Sequence, residues 1–283
     1  MTSLLVTGAS GLLGRYLLDA EWSDDRVVGT YHTTPVEADH ETVHLDVRDR
    51  EQVERVVERV DPDVVVHSAA ATSVEACEEK PELAHETNAL GTKHVVDAAA
   101  AVGARVVYPS TAYVFGDDAP VHIEDDEPAP MNRYGRSKLD GERYVESASP
   151  AGTIVRFCVV VSIDRADRSD FGSWVRGQLE AGERVRLIDD QQITPTVLTD
   201  AVDALGYLIE HEETGVFHVT SPERMTRYEL GREIAHRHGL DPELVEPIPM
   251  TEMGWEAPRP RHLCLGSEKL RRYGYETARI RTE

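Results

Sequence analysis

The chain has 283 residues, 40% of them hydrophobic, and carries 52 acidic against 30 basic side chains, a formal net charge of −22. That length gives one large domain or two intimate ones with a sizeable core, and the hydrophobic fraction excludes a disordered acidic tail. Such a charge repels nucleic-acid phosphates and anionic lipid, which excludes nucleic-acid and membrane-surface roles at whole-chain level.

Leu4 to Thr7 reads as a strand, and Gly8-Ala9-Ser10-Gly11-Leu12-Leu13-Gly14 turns it into a helix predicted over Leu12 to Glu21. Gly8 permits the tight turn, Gly11 lets a pyrophosphate approach the backbone, and Gly14 lets helix and strand pack closely. Free N–H groups at the helix start then point at the phosphates. Glycine content alone gives about 0.1 chance matches to this spacing, so the strand-to-helix setting carries the weight. A second strand, Arg26 to Tyr31, runs into His32 and Thr33 with no acid to grip ribose hydroxyls. NADP is therefore favoured over NAD, with His32 and Thr33 offered to a 2′-phosphate, although no arginine stands in that stretch.

The third strand, Thr42 to Leu45, leads to Asp46, which either accepts from the adenine amino group or caps the helix that follows Val47. That helix is predicted over Arg50 to Val60, and Asp61-Pro62 stops it before a fourth strand, Val64 to His67. Ala69-Ala70-Ala71 would let the backbone lie against a cofactor; turn geometry explains the small side chains equally well. A helix over Pro81 to Val102 contains Asn88, Gly91 and Thr92, weak helix formers that point to close packing or polar contacts near a site. Gly103 ends it, a fifth strand spans Arg105 to Tyr108, and Ser110 and Thr111 place hydroxyls beyond its carboxyl end. The acidic run Glu124 to Glu127 reads as a solvated loop, and Tyr134 to Ser147 as a helix. This alternation is that of an α/β, Rossmann-type doubly wound parallel sheet.

After Pro150 the pattern weakens. Thr153 to Val161 and Gly215 to Val219 read as strands, and Trp174 to Glu180, Val202 to Glu210 and Tyr228 to His238 as helices. Four prolines between Glu246 and Arg261 predict an extended, irregular path. Residues 1–165, joined by about 196–220, are expected to form the NAD(P)-binding domain, with 166–195 and 221–283 as a small, discontinuous substrate lobe over the carboxyl ends of the strands.

Tyr134 and Lys138 are four residues apart, hence on one helix face. A phenol is a poor acid at neutral pH, but a neighbouring ammonium favours its anion and lowers its pKa, which makes a usable proton donor. Finding both this pair and the glycine loop by accident has odds of about one in seventy. Thr111 would hydrogen-bond a substrate oxygen while Tyr134 exchanges the proton.

Only Lys80, Lys93, Lys138 and Lys269 are lysines. An acidic, lysine-poor surface fits adaptation to high intracellular salt, with an arginine-biased genome as the plainer alternative. Cys77, Cys158 and Cys264 have no zinc or redox spacing, and neither a signal peptide nor an apolar run of about 18 residues is present. The expectation is a soluble cytoplasmic protein with reduced, buried thiols and no assigned metal.

These residues resemble the extended short-chain dehydrogenases/reductases, and within them the dTDP-4-dehydrorhamnose reductase group. The likeness spans most of the chain: the Gly8 loop, Ala69 to Glu79, Asn88 with Gly91, Ser110-Thr111-x-Tyr113-Val114-Phe115, Tyr134-x-x-x-Lys138, Asp190-Gln191-x-x-x-Pro195-Thr196 and Arg259-Pro260. It implies a catalytic set of Thr111, Tyr134 and Lys138, a hydride from NADPH to a carbonyl of a nucleotide-linked hexose, and Lys138 on the nicotinamide ribose. It extends the cofactor contacts to Ser10, Leu12, Leu13, Val47, Ser110 and Phe157, and the substrate contacts to Val74, Tyr113, Thr196 and Arg259. A homodimer is compatible with it. The chain departs from the group at Ala112, Val159, Ile193 and Asp170-Phe171, close to the expected sugar pocket. A 4,6-dehydratase would need an acid where Ala112 stands. A 4-epimerase shares the catalytic set but carries a longer C-terminal lobe. A non-catalytic regulatory subunit, similar to the partner of methionine adenosyltransferase, would keep the fold and bind NADP without turnover.

Overall fold

Five strands of the first half lie side by side: β1 (Ser3–Thr7), β2 (Arg26–Tyr31), β3 (Glu41–His44), β4 (Val64–His67) and β5 (Arg105–Thr111). The computed structural model describes residues 2–20, 26–148, 150–163 and 170–281. The predicted helix end at Glu21 and the predicted domain boundary at 165/166 lie outside the described residues. With β6 (Thr153–Phe157) and β11 (Gly215–Val219) these strands make a seven-stranded parallel sheet in the order β3-β2-β1-β4-β5-β6-β11. Leu4, Leu5, Val6, Val65 and Val66 have no exposed surface, as expected of strands covered by helices on both faces. Strand order reverses between β1 and β4, and the crevice at their carboxyl ends is where such sheets bind ligands.

Helices α1 (Leu12–Asp19), α2 (Arg50–Val60), α5 (Gly91–Val102) and α6 (Arg133–Glu146) connect the strands, with α3 (Val74–Glu79) and α4 (Pro81–His85) preceding α5. Asp49, not Asp46, caps α2 by accepting from the Gln52 N–H, so Asp46 is not the cap. The predicted helix from Pro81 to Val102 is interrupted by a π-helical turn at Glu86–Leu90. The cause is visible at Asn88, which the extra residue turns inward: its Oδ1 accepts from the Ala71 N–H at 2.7 Å and its Nδ2 donates to the Ala71 carbonyl at 3.0 Å. Gly91 packs so closely that a Cβ would meet Val47 Cγ2 at 2.9 Å.

The second half adds β7 (Val160–Val161), α7 (Phe171–Glu180), β8 (Val185–Ile188), β9 (Gln192–Ile193), β10 (Thr196–Val197), α8 (Leu198–Glu210), β12 (Met225–Thr226), α9 (Arg227–Arg237), β13 (Val245–Ile248), β14 (His262–Leu263) and α10 (Glu268–Arg272). Small sheets β10-β7, β12-β9-β14 and β13-β8 hold this region. The tail expected to be irregular from Glu246 onward contains part of β13, whose two-stranded sheet tolerates Pro247 because no second neighbour needs its missing N–H. A capping box closes the start of α9, with Thr226 and Glu229 each accepting from the other's backbone.

The acidic run is not merely solvated. Glu124 Oε1 accepts from the His218 N–H at 3.2 Å and Asp126 Oδ2 from the Ile123 N–H at 2.9 Å. Backbone bonds from His122 to Cys264 (2.9 Å) and from Gly266 to His122 (2.8 Å) stitch this loop to the C-terminal segment. No described helix is long and apolar enough to cross a membrane.

Candidate active site

At the end of β1 the chain turns through Gly8 at φ +69°, where a Cβ would stand 2.6 Å from Ala69 Cα. Any side chain on Gly14 would strike the Gly8 carbonyl. The loop is therefore set by backbone contact, as a pyrophosphate cradle requires. Gly11 precedes α1 and supplies no side-chain cap, so the first N–H groups of the helix remain for an anion. Beneath the loop, Thr92 Oγ1 donates to the Asn88 carbonyl (2.7 Å) and so must accept from His67 Nε2 (3.1 Å). His67 Nδ1 is then the acceptor of the Thr7 hydroxyl at 2.7 Å. Burial holds His67 neutral, pushing its pKa down to about 3 with help from the Lys138 charge.

The side of the cleft that carries Thr111, Tyr134 and Lys138 is built on β5 and α6. Asn132 caps α6 by accepting from the Gly135 N–H at 2.8 Å, and Gly135 is obligatory because a Cβ would collide with the Tyr113 carbonyl. Tyr134 and Lys138 then project from one face and are both buried. Tyr134 lines the same cleft wall as Thr111, and its ring meets that of Tyr113 edge-on at 5.9 Å. Lys138 Nζ donates to the Pro109 carbonyl at 2.8 Å and lies 3.8 Å from the centre of the Tyr108 ring.

This geometry corrects the expected pKa relation. Burial raises the Tyr134 phenol above its usual range, with Thr111 opposing it. Burial also lowers Lys138 to about 7, while the Glu142 carboxylate raises it. The ammonium points at a carbonyl and a ring, and desolvation outweighs its effect on the phenol. A phenol that keeps its proton is the form that can donate one.

Behind the site lies an ionic network that the sequence reading missed. Glu142 accepts from Ser110 Oγ (2.5 Å), Arg156 Nε (3.0 Å) and Arg156 Nη2 (2.7 Å). Arg156 also stands 3.5 Å from His218 Nε2, whose ring reaches the Gly266 carbonyl through Nδ1 at 3.0 Å. These side chains pin β5, α6, β6 and β11 together just below Thr111.

A cleft of about 870 Å³ at the carboxyl edge of the sheet brings nearly all the predicted site residues together. Every predicted cofactor residue lines it except Thr33 and Asn88, and every predicted substrate residue except Thr196. Asn88 acts one step back, holding Ala71 as described and donating to Ser137 Oγ at 2.9 Å. Thr196 is fully buried; its hydroxyl donates to the Val219 carbonyl (2.6 Å) and accepts from the Cys158 N–H (3.1 Å). Gln191 likewise donates to the Pro260 carbonyl at 2.7 Å, so this motif anchors the C-terminal segment and does not face the cleft. Arg259, whose side chain is 7% exposed, pairs with Glu75 at 2.6 Å and stacks 3.7 Å from the Trp255 ring. Its Nε and that of Arg227 are buried without a hydrogen-bond partner.

Arg48, Arg227 and Trp255 line the cleft without having been singled out in the sequence. Each comes from an element with no distinctive motif, and only tertiary placement brings it in. Of the departures, Ala112 is buried in a 3₁₀ turn after Thr111, Ile193 is a core strand residue, and Asp170 caps α7 by accepting from the Gly172 N–H at 2.8 Å. Val159 adopts φ +44° on the cleft wall, an unusual conformation for a β-branched residue.

The glycine cradle, the uncapped start of α1 and the buried Tyr134 and Lys138 fit a pyridine dinucleotide lying along this cleft. Comparison with known proteins agrees. The chain is 36% identical over 268 residues to the probable low-salt glycan biosynthesis reductase Agl14 of Haloferax volcanii, covering 92% of this chain and 88% of the relative. It is 34% identical to the dTDP-4-dehydrorhamnose reductase of Mycolicibacterium smegmatis, covering 94% and 78%. The crystal structure of dTDP-4-dehydrorhamnose reductase from Bacillus anthracis in complex with NADP superimposes with a TM-score of 0.85 at 29% identity, covering 98% of this chain and 95% of that one. The family model for the RmlD substrate binding domain matches residues 1–282, and the chain belongs to that family.

Proposed function

We propose that this chain is an NADPH-dependent reductase of a nucleotide-linked 4-keto-6-deoxy sugar, of the dTDP-4-dehydrorhamnose reductase type. The observation that carries the reading is the single cleft that joins the Gly8 cradle to Thr111, Tyr134 and Lys138. NADPH, when bound, supplies the hydride. Tyr134, kept protonated by burial, donates its proton to the carbonyl oxygen, and Thr111 orients that oxygen through its hydroxyl. Lys138, held by the Pro109 carbonyl, offers its remaining donors to the nicotinamide ribose. Arg259, with its unpartnered Nε, faces the cleft as a cation for the substrate's phosphates.

The same reading divides the labour. Residues 1–165 with about 196–220 bind the dinucleotide, and 166–195 with 221–283 close over the sugar. The three cysteines are free and buried, which suits work in a reducing cytoplasm. Purified protein mixed with NADPH and dTDP-4-dehydro-6-deoxy-L-mannose should consume NADPH, read at 340 nm. Folded protein that binds NADPH and leaves the absorbance unchanged would overturn the reductase reading.

A further inference from the structure

Two successive turns of α6 grip consecutive residues of β5. Lys138 Nζ donates to the Pro109 carbonyl at 2.8 Å, and one turn on, Glu142 Oε1 accepts from the Ser110 hydroxyl at 2.5 Å. Thr111 is the next residue along that strand. Ser110 pairs in register with Arg156 on β6, and Arg156 with His218 on β11, so the three form a row across the sheet that meets α6 at Glu142. Arg156 closes on Glu142 through Nε at 3.0 Å and Nη2 at 2.7 Å, a forked contact that occupies both carboxylate oxygens.

Lys138 and Glu142 are four residues apart, on one face of the helix, yet the carboxylate is turned to the guanidinium and the ammonium to a carbonyl and the Tyr108 ring. The other ionisable groups around Lys138 supply no countercharge. Burial raises the phenols of Tyr134 on α6 and Tyr108 on β5 and the thiol of Cys77 on α3, and it holds His67 on β4 neutral. His218, at the far end of the row, is kept neutral by burial and by the Arg156 charge. On the neighbouring helices Glu75 is bound to Arg259, Glu78 to the Arg133 N–H and Asp97 to Lys93, while Glu79, Glu82 and Glu86 are exposed. Glu142 is the carboxylate that raises Lys138 against its burial.

We infer that Glu142 and Arg156 are positioning residues that set the charge of Lys138: the fork holds the carboxylate off the ammonium, which keeps its charge and its donors for the nicotinamide ribose. The inference rests on the proposed role of Lys138 at that ribose. Paired directly with Glu142, Lys138 would form a neutral unit with its donors spent. With no carboxylate near it, burial would strip its proton. The fork gives the intermediate state, in which Lys138 is lowered only to about 7.

The chain holds four lysines, so an isotope label at the lysine ε-carbon, followed by NMR, gives one titrating signal for each, and that of Lys138 is the one lost in Lys138→Met. Its wild-type midpoint is expected at about 7. Glu142→Gln removes the countercharge and should lower the midpoint by about one pH unit, whereas Arg156→Gln releases the carboxylate and should raise it by about as much. The double variant, neutral at both positions, should fall between the two. The alkaline limb of kcat/KM for NADPH should move with each midpoint. A pair that only holds strands together would not give opposite shifts, so unmoved midpoints, or shifts of the same sign in both single variants, would overturn the inference. Where circular dichroism shows a single-charge variant unfolded, Ser110→Ala keeps both charges and frees Glu142 Oε1. It should raise the midpoint by about half a pH unit, and an unmoved midpoint there would also overturn the inference. The titration needs no turnover, so opposite shifts in a protein that leaves NADPH unconsumed would sink the reductase reading and leave the coupling of Glu142 and Arg156 to Lys138 standing.

Discussion

The two ends of the cleft use the same chemistry in opposite surroundings. At the end of the cleft beyond β2 and β3 the Arg48 and Asp46 side chains are 36% and 24% exposed, and the guanidinium holds the carboxylate down at about 2. Behind Thr111 and Tyr134 the Arg156 and Glu142 side chains are 3% and 1% exposed. An exposed pair is screened by water and salt and contributes little to stability, so it is free to be tuned for a ligand. A buried pair has been stripped of water, and removing one partner leaves the other charge stranded. The first arrangement can rearrange around a ligand; the second holds β5, α6 and β6 in fixed register.

That contrast can be broken in several places. The largest effect belongs to Tyr134→Phe, which keeps the ring and removes the proton: turnover should fall by about 10²- to 10⁴-fold with cofactor affinity nearly unchanged. Retained turnover would move the proton donor elsewhere. Next comes Glu142→Gln, which strands Arg156 and is expected to cost about 3–5 kcal/mol of stability in urea unfolding. A loss no larger than that of a surface substitution would mean that the buried pair is not what fixes β5 against α6.

A smaller effect separates charge from structure. Lys138 has its pKa lowered to about 7, so its ammonium is present at lower pH and is lost as pH rises through that value. The kcat/KM for NADPH, which reports groups of the free enzyme, should therefore decline on the alkaline side of about 7. A profile flat across that region would show Lys138 still charged. The smallest effect is expected at Lys93, whose exposed bond to Asp97 spans 2.6 Å on α5. Lys93→Gln should change stability by less than about 0.5 kcal/mol, and molar salt should erase the difference.

The parts of the site that could be read from sequence are the local ones. Gly8, Gly11 and Gly14 act within one turn, and Tyr134 and Lys138 within one face of one helix, so spacing alone gives their geometry. Arg227 and Glu142 could not be found that way, because their roles depend on which distant element meets them. Burial was equally hidden: proximity argued for a lowered Tyr134 pKa, and desolvation reversed it. Thr196 shows the opposite failure, a motif residue whose hydroxyl is spent entirely on backbone groups. In the fold, β1, β2, β4 and β5 were legible because buried parallel strands read as apolar runs. The two-residue strands of the second half carry too few positions for any period to show.

The π turn at Glu86–Leu90 bears on how this chain tolerates change. An α-helix advances about 100° per residue, so deleting one residue there would rotate all of α4 relative to α5 by that angle. Asn88 and Thr92 would no longer face Ala71 and His67 together, and the backbone beside the Gly8 cradle would lose both of its side-chain supports at once. Length at this point is therefore under tighter constraint than residue identity. Elsewhere in the helix a conservative substitution changes one contact, but here a single-codon deletion uncouples the floor of the cofactor cleft from the wall that carries Tyr134.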